Sequence, residues 1–123
     1  MRMKQALVAI IVLGLQHAIP ARAQLADNEQ EFQQMAAALK ADDAERLSAI
    51  TTCIEQGVSA NPDPAGMAQF MDLPVEQAWE AWCTRMTNGI ANGRLTLADI
   101  NALNEGTITP NARDVLTTVS DGM

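Results

Sequence analysis

The chain has 123 residues, a formal net charge of −7 and a sequence pI of about 4.4, which fits a single small acidic domain. This acidity excludes nucleic acid and anionic membrane surfaces as favoured partners, because both repel a negatively charged protein. It permits cationic partners, namely basic peptides, basic proteins or metal ions, although charge of this size can also serve solubility alone.

The beginning of the chain has the three-part pattern of a secretory signal peptide. Arg2 and Lys4 form a positive start, residues 6–15 form an uninterrupted apolar run, and Ala21 and Ala23 place small residues before a cleavage site. A membrane-spanning helix needs about 20 apolar residues, so this shorter run favours a cleaved signal peptide over an anchor.

We therefore expect a signal peptide at 1–23, cleavage between Ala23 and Gln24, and a periplasmic or secreted domain at 24–123 with no stable membrane anchor. Cleavage removes three basic residues and no acidic one, which leaves five basic and 15 acidic residues and a net charge of −10. It also removes His17, the only histidine, which excludes histidine-based catalysis in the mature chain.

The two cysteines, Cys53 and Cys83, predict one disulfide, since an exported protein with an even number of cysteines usually pairs them. The bond would close a loop of about 30 residues, which the chain-entropy model values at roughly 3.5 kcal/mol. A redox pair is the alternative, but such pairs favour Cys-x-x-Cys spacing and a stabilised thiolate. Arg85, the positive residue near Cys83, lies two positions away and so on another helix face, which favours a structural bond.

Two helices are predicted in the first half of the mature chain. We expect the first to run from a cap at Asp27 through Lys40, and the second to start at Asp42 with Glu45 as a capping-box partner. Gly57 is expected to end the second helix. The apolar stripe of the second helix, expected to face the core, consists of Leu47, Ile50 and Ile54.

Prolines open the next two predicted helices. Asp63 is the expected cap of a short helix that begins at Pro64 and ends at Met71, and Leu73-Pro74 opens a longer one. At about 100° per residue, the longer helix has one dense apolar stripe, which consists of Val75, Trp79, Trp82, Cys83, Met86 and Ile90. The residues expected on its other faces are Glu76, Glu80, Thr84, Thr87 and Asn88.

Two further helices complete the pattern. Gly93 is expected to end the longer helix, and Thr96, with Asp99 as capping-box partner, begins the next, which stops at Gly106. Pro110 opens the last helix, whose apolar residues are Val115, Leu116 and Val119. Because no alternating run of β-branched residues is found, we predict an all-α fold: a single small domain of five or six short helices with one disulfide, preceded by a signal peptide.

Two segments resemble EF-hand calcium loops, whose oxygen ligands stand at fixed positions of a 12-residue loop. The candidate ligands are Asn88, Asn92 and Asp99 in segment 88–99, and Asn61, Asp63 and Asp72 in segment 61–72. Segment 88–99 places Ile90 at a ligand position and contains Arg94, and both residues weaken a calcium site. The competing interpretation makes this segment the boundary between two helices.

Five residues are candidates for binding a partner: Trp79, Trp82, Asp42, Asp43 and Glu45. An exposed tryptophan pair would anchor a partner, whereas the apolar stripe around this pair favours burial in the core. The acids can equally serve only to stabilise the start of a helix. The sequence contains no nucleophile elbow, phosphate loop or c-type haem motif, so we assign no catalytic residue and no cofactor.

The favoured hypothesis is an exported, small, acidic helical protein that is not an enzyme and acts by binding a partner. Inhibitors, immunity-type proteins and chaperone-like factors belong to this class, and the expected partner is a cationic protein or peptide. The alternatives are a weak calcium binder that uses segments 61–72 and 88–99, and a structural subunit of an envelope assembly.

Overall fold

The structure, a computed structural model, describes residues 28–118, which form six α-helices and no β-strand. The helices are α1 (Glu29–Ala41), α2 (Asp43–Ala60), α3 (Ala65–Met71), α4 (Val75–Ala91), α5 (Leu97–Asn104) and α6 (Pro110–Thr117). The predicted all-α fold is thereby confirmed. None of these six described helices is long and apolar enough to cross a membrane. The predictions for the signal peptide, Asp27 and Val119 concern residues outside the described range.

Side-chain caps define the starts of α1 and α2. The Oδ1 atom of Asn28 accepts a hydrogen bond of 2.9 Å from the backbone N–H of Glu31, so Asn28 caps α1 in the place expected of Asp27. Asp42 caps α2 as predicted, because its Oδ1 accepts hydrogen bonds from the N–H groups of Ala44 and Glu45. Each bond satisfies an N–H that has no partner within its own helix. The predicted capping box with Glu45 is wrong, since the N–H of Asp42 donates to the carbonyl of Ala38 instead.

Two predicted boundaries are wrong. Gly57 does not end α2, which continues to Ala60, and Gly57 is instead a buried residue inside the helix. Asp63 does not cap α3, because the chain enters that helix one residue later, with Pro64 in the cap position and no side-chain hydrogen bond there. The backbone carbonyl of Asp63 accepts a hydrogen bond of 2.9 Å from the N–H of Ala65 instead.

Helix α4 is the centre of the domain, because α1, α2, α3 and α6 all pack against it. Its second half is buried on nearly every side, which contradicts the prediction that Thr87 and Asn88 face away from the core. Val75, at the start of the predicted stripe, is 37% exposed. A single apolar stripe predicts one packed face, whereas this helix has four helical neighbours.

The core consists of two apolar clusters at opposite ends of α4. The larger cluster joins the second half of α4 to α1, α5 and α6, and its buried members include Phe32, Leu39, Ile90, Leu95, Ile100 and Val115. The smaller cluster joins the first half of α4 to α3, and its members include Ala68, Met71 and Ala78, with Trp82 packed against them. Helix α2 contributes only partly buried residues to this core, such as Ala49.

The predicted disulfide is confirmed and joins α2 to α4. Cys53 and Cys83 are bonded, with their Cα atoms 5.8 Å apart, and Cys83 is completely buried. One helical turn away, the indole ring of Trp79 packs directly on Gly57, where a Cβ atom would lie only 2.5 Å from the ring carbons. The indole N–H of Trp79 also donates a hydrogen bond of 2.9 Å to the carbonyl of Asn61. We call the disulfide and the packing of Trp79 on Gly57 together the α2–α4 clamp.

Removal of the disulfide is expected to destabilise the domain strongly. The double substitution Cys53→Ser with Cys83→Ser should lower the free energy of unfolding by about 3.5 kcal/mol, since the unfolded chain regains the freedom of a loop of about 30 residues. Urea unfolding of the oxidised protein and the variant measures this loss. Reductant should bring the original protein to the stability of the variant and leave the variant unchanged. A loss below about 1 kcal/mol would contradict the prediction.

The close packing of Trp79 makes Gly57 a second sensitive position. Replacing glycine by alanine inside a helix ordinarily stabilises it by about 1 kcal/mol, but Gly57→Ala should destabilise the protein by about 1–3 kcal/mol because the ring must move. Gly66→Ala is the matched control, because nothing lies within 4 Å of its added Cβ. Thermal unfolding of both variants tests the contrast, and equal stabilisation by the two substitutions would contradict it.

Candidate functional site

The segment 88–99 is the boundary between α4 and α5. Gly93 has a positive φ of 82°, a conformation that glycine adopts at little cost, and the N–H groups of Arg94 and Leu95 donate to the carbonyl of Gly89. Thr96 then caps α5, and its capping box with Asp99 is complete. The interpretation of this segment as a helix end followed by a helix start is confirmed.

Asp99 is buried and accepts four hydrogen bonds through its two carboxylate oxygens. Its Oδ2 accepts from the N–H and the hydroxyl of Thr96, both at 3.0 Å, and from the side-chain amide of Asn111 at 2.6 Å. Its Oδ1 accepts from the hydroxyl of Thr109 at 2.7 Å. Since Thr109 caps α6, this one carboxylate ties the start of α5 to the start of α6.

The pKa of Asp99 lies below its ordinary value. Burial on its own raises this pKa, because it disfavours the charged carboxylate. The hydrogen bonds from Thr96, Thr109 and Asn111 stabilise the charged form and outweigh burial. Asp99 is therefore held ionised by donors of the protein itself, which makes it a structural anion.

The proposed calcium ligands in segment 88–99 have other partners. Asp99 is engaged as described, the Oδ1 of Asn92 accepts a hydrogen bond of 3.1 Å from the N–H of Arg94, and Asn88 is buried in α4. Residues 88–91 also belong to α4, so the first third of the candidate loop is helical. Between residues 28 and 118, no three His, Cys, Asp or Glu side chains gather closely enough to hold a metal ion.

Segment 61–72 contains a helix where a calcium loop would need an open turn. Asn61 is the C-cap of α2, and its carbonyl accepts the bond from Trp79. Asp63 lies exposed in the connection, and the whole of α3 separates it from Asp72. Asp72 ends α3 in the left-handed conformation, with φ 59°. The three candidates therefore lie apart: Asn61 at the end of α2, Asp63 in the connection and Asp72 at the end of α3.

Both tryptophans serve the packing of α4 and remain partly exposed. Trp79 covers Gly57, whereas Trp82 packs against the small cluster around Met71 and Ala78. They lie within one turn of each other but contact different helices. The two tryptophans of the predicted anchor pair therefore pack against different parts of the domain, Trp79 against α2 and Trp82 against the small cluster.

The candidate acids lie at the other end of α2. Asp42 is the N-cap of that helix, Asp43 forms an ion pair with Arg46, and Glu45 is exposed. Helix α2 has 18 residues, which corresponds to a length of about 27 Å. Because Trp79 packs near its C-terminal end, the structure does not bring these acids together with the tryptophans.

The predicted apolar stripe of α2 is packed only in part, because Ile50 and Ile54 are half-buried whereas Leu47 lies in solvent. Leu47 is 64% exposed, Val58 is 46% exposed and Ile54 is only partly buried. Of the residues of α2, Gly57 alone is buried. The apolar spacing could have located these residues on one face, but nothing in the sequence shows that the face stays uncovered.

A buried arginine was also missed. Arg85, on α4, is 9% exposed, and its Nη1 donates a hydrogen bond of 2.7 Å to the carbonyl of Leu116 in the last turn of α6. No carboxylate of the described residues lies within ion-pairing distance of it. The positive guanidinium thus stabilises the negative end of α6, where the carbonyl groups lack partners within the helix.

Comparison with known proteins supplies no family for this chain: no protein-family model, no curated protein and no solved structure matches it. The features that bear on function are those that the chain itself shows. They are its acidity, its disulfide and the exposed apolar residues of α2.

The hydrogen bonds of Asp99 predict a pH-dependent contribution to stability. Asp99→Asn should lower the free energy of unfolding by about 1–3 kcal/mol near pH 7, because the new amide nitrogen cannot accept the bonds that the lost oxygen accepted. The folded-state pKa of Asp99 is lowered, so this contribution is present above the unfolded-state pKa and is lost as the pH falls through the folded-state value.

Urea unfolding near pH 7 and near pH 2.5 should therefore show a difference between original and variant that shrinks in acid. Asp63→Asn is the matched control, since Asp63 is exposed and makes no side-chain hydrogen bond with the described residues. It should leave the stability unchanged at either pH. An equally large loss for Asp99→Asn at both pH values would contradict the role of its charge.

Proposed function

We propose that this is an exported protein that works by binding a cationic protein or peptide and carries out no chemistry of its own. The signal-peptide pattern of the sequence supports export. The disulfide is compatible with an oxidising compartment such as the periplasm or the extracellular space.

The observation that carries the binding role is the combination of exposed apolar residues with an acidic surface. Leu47 and Val58 are large, exposed and on the same helix, and the acids near them, such as Glu55, are exposed as well. Surface regions that join apolar contacts to one sign of charge are suited to a partner of the opposite sign. The net charge of −7 also accelerates the approach of a cationic partner.

The described residues support a non-enzymatic role. Both cysteines are joined in the disulfide and are thus removed as nucleophiles. The pKa of Asp99 is shifted downward, away from the values that suit a general acid or base near neutral pH. No histidine follows His17 in the chain.

Within this class, the structure favours an inhibitor or immunity-type protein over a chaperone-like factor. A chaperone that holds many unfolded clients needs a broad or adaptable apolar surface. Here the large exposed apolar side chains of the described chain are Leu47, Val58 and Val75, and two of them stand on one cross-linked helix. A small, rigid surface suits a single partner, because little conformational freedom is lost when it binds.

Zero-length cross-linking in the cell envelope tests this function without assuming which surface binds. A carbodiimide joins carboxylates of this protein to lysines of a neighbour, so a covalent adduct with one basic protein is expected. Mass spectrometry identifies that partner. The adduct should decrease in about 1 M salt, where the Debye length falls to about 3 Å.

Absence of an adduct, or an adduct whose yield is the same at high salt, would contradict the proposed function. The chaperone-like alternative has a separate readout. It predicts that the purified protein suppresses the aggregation of an acid-unfolded client, whereas the single-partner role predicts no protection.

A further inference from the structure

We infer that the outer face of α2 is a docking surface for a cationic amphipathic helix of the partner. The surface is formed by Leu47, Ile54 and Val58, and we call it the α2 ridge. The inference rests on the proposed function and extends it, since it names the surface and the shape and charge of what binds there.

The three residues of the α2 ridge lie on one face of α2, on which the exposed Thr51 separates Leu47 from Ile54. At about 100° per residue they fall within an arc of about 40°, and the rise from Leu47 to Val58 is about 16 Å, or three helical turns. An amphipathic helix presents apolar residues at three- and four-residue intervals on one face. A partner helix of three to four turns therefore matches the α2 ridge in length and periodicity.

One flank of α2, about 80–120° from the direction of Leu47, is already in use. Cys53 is bonded to α4, Gly57 lies beneath Trp79, and the Nη1 of Arg46 donates a hydrogen bond of 2.7 Å to the carbonyl of Leu39 at the end of α1. These contacts fix which way the helix faces. The α2 ridge takes no part in these contacts: Leu47 is 64% exposed and Val58 is 46% exposed.

Single exposed apolar residues are common on protein surfaces and need no explanation. The α2 ridge differs because its members are aligned on one rigid element. The clamp to α4 fixes the orientation of α2, so the partner covers apolar residues that the described part of the chain leaves exposed. Burial of such residues is the usual source of affinity when an amphipathic helix binds.

Charge determines which helix fits. On α2 itself, the exposed Glu55 stands about 80° from the direction of Leu47, whereas Asp43, about 40° away on the other side, already pairs with Arg46. Glu76 and Glu80, on α4, are exposed, and the clamp holds that helix alongside α2. Lysine or arginine residues that border the apolar face of a partner helix would meet these acids.

The same charges disfavour a second copy of this chain as the occupant. The full chain has a net charge of −7, and two α2 ridges packed against each other would place their bordering acids close together. The one basic residue of α2, Arg46, already contacts Asp43 and the end of α1. It is therefore not available to neutralise the acids of a second copy.

A designed peptide tests the docking surface directly. The probe is a fluorescein-labelled peptide of about 14 residues, with leucine on one face at three- and four-residue spacing and lysine elsewhere. Its fluorescence anisotropy is followed during titration with the purified, disulfide-bonded protein. A peptide of the same pattern with glutamate in place of lysine measures the contribution of charge.

Leu47→Ser should weaken binding of the lysine peptide about tenfold or more, and Val58→Ser about threefold or more, because each removes apolar area from the contact. Val75→Ser is the matched control for Val58→Ser: it is the same change at an exposed valine on another helix, and it should alter the affinity less than about twofold. All three residues are exposed, so the thermal unfolding of the variants should match that of the original protein.

Each contrary outcome would overturn one part of this inference: the docking surface, the charge selection or the identity of the occupant. Equal binding of the lysine peptide by the original protein, Leu47→Ser and Val58→Ser would overturn the α2 ridge as the docking surface, while the proposed cationic partner would stand. Equal affinity for the glutamate peptide would overturn the charge selection. No binding of either peptide would overturn this inference, and the cross-linking experiment would still decide the proposed function. A dimer in sedimentation that Leu47→Ser dissociates would identify a second copy as the occupant.

Discussion

The α2–α4 clamp is the contact on which the arrangement of this domain depends. Helix α2 buries only one of its residues, so apolar packing alone does not hold it in place. The Cys53–Cys83 bond and the indole of Trp79 on Gly57 fix it against the central helix instead. Small domains with a limited core commonly need such a covalent staple. Because the staple holds α2, Leu47 and Val58 can face solvent without loss of the fold.

The parts of the fold that could be predicted from the sequence depend on neighbours three or four residues apart. The cap at Asp42, the capping box of Thr96 with Asp99 and the left-handed glycines at 93 and 106 are all local chemistry, and each is present. The disulfide was predictable for another reason, since two cysteines allow one pairing. Local rules also identified the segment 88–99 as a helix boundary.

Apart from the capping box expected at the start of α2 and the cap expected at the start of α3, the failures of prediction concern contacts between distant parts of the chain. Gly57 has the local pattern of a helix end, and it lies inside α2 because Trp79 occupies the space that a side chain would fill. Thr87 and Asn88 were expected in solvent, yet they are buried because α4 has neighbours on several sides. Leu47 shows the opposite error, since its position in the apolar stripe predicts burial whereas it is exposed. Periodicity reveals which residues share a face, but the number of partners around each helix is a property of the tertiary structure.

The basic residues of the domain are few, and its arginines all have partners within it. Four of the five basic residues after position 28 are arginines, and each has a partner within the domain. Arg46 and Arg85 donate to carbonyls at the ends of α1 and α6, Arg94 pairs with Asp114, and Arg113 stacks on the ring of Phe70. Lys40, in the last turn of α1, complements that helix end. Arg85 is buried, whereas Lys40, Arg94 and Arg113 stay exposed, so the acidic surface reflects mainly the excess of carboxylates in the sequence. A surface charged in this way would repel its own copies and attract a cationic helix, for which we propose the exposed apolar residues of α2 as the binding surface.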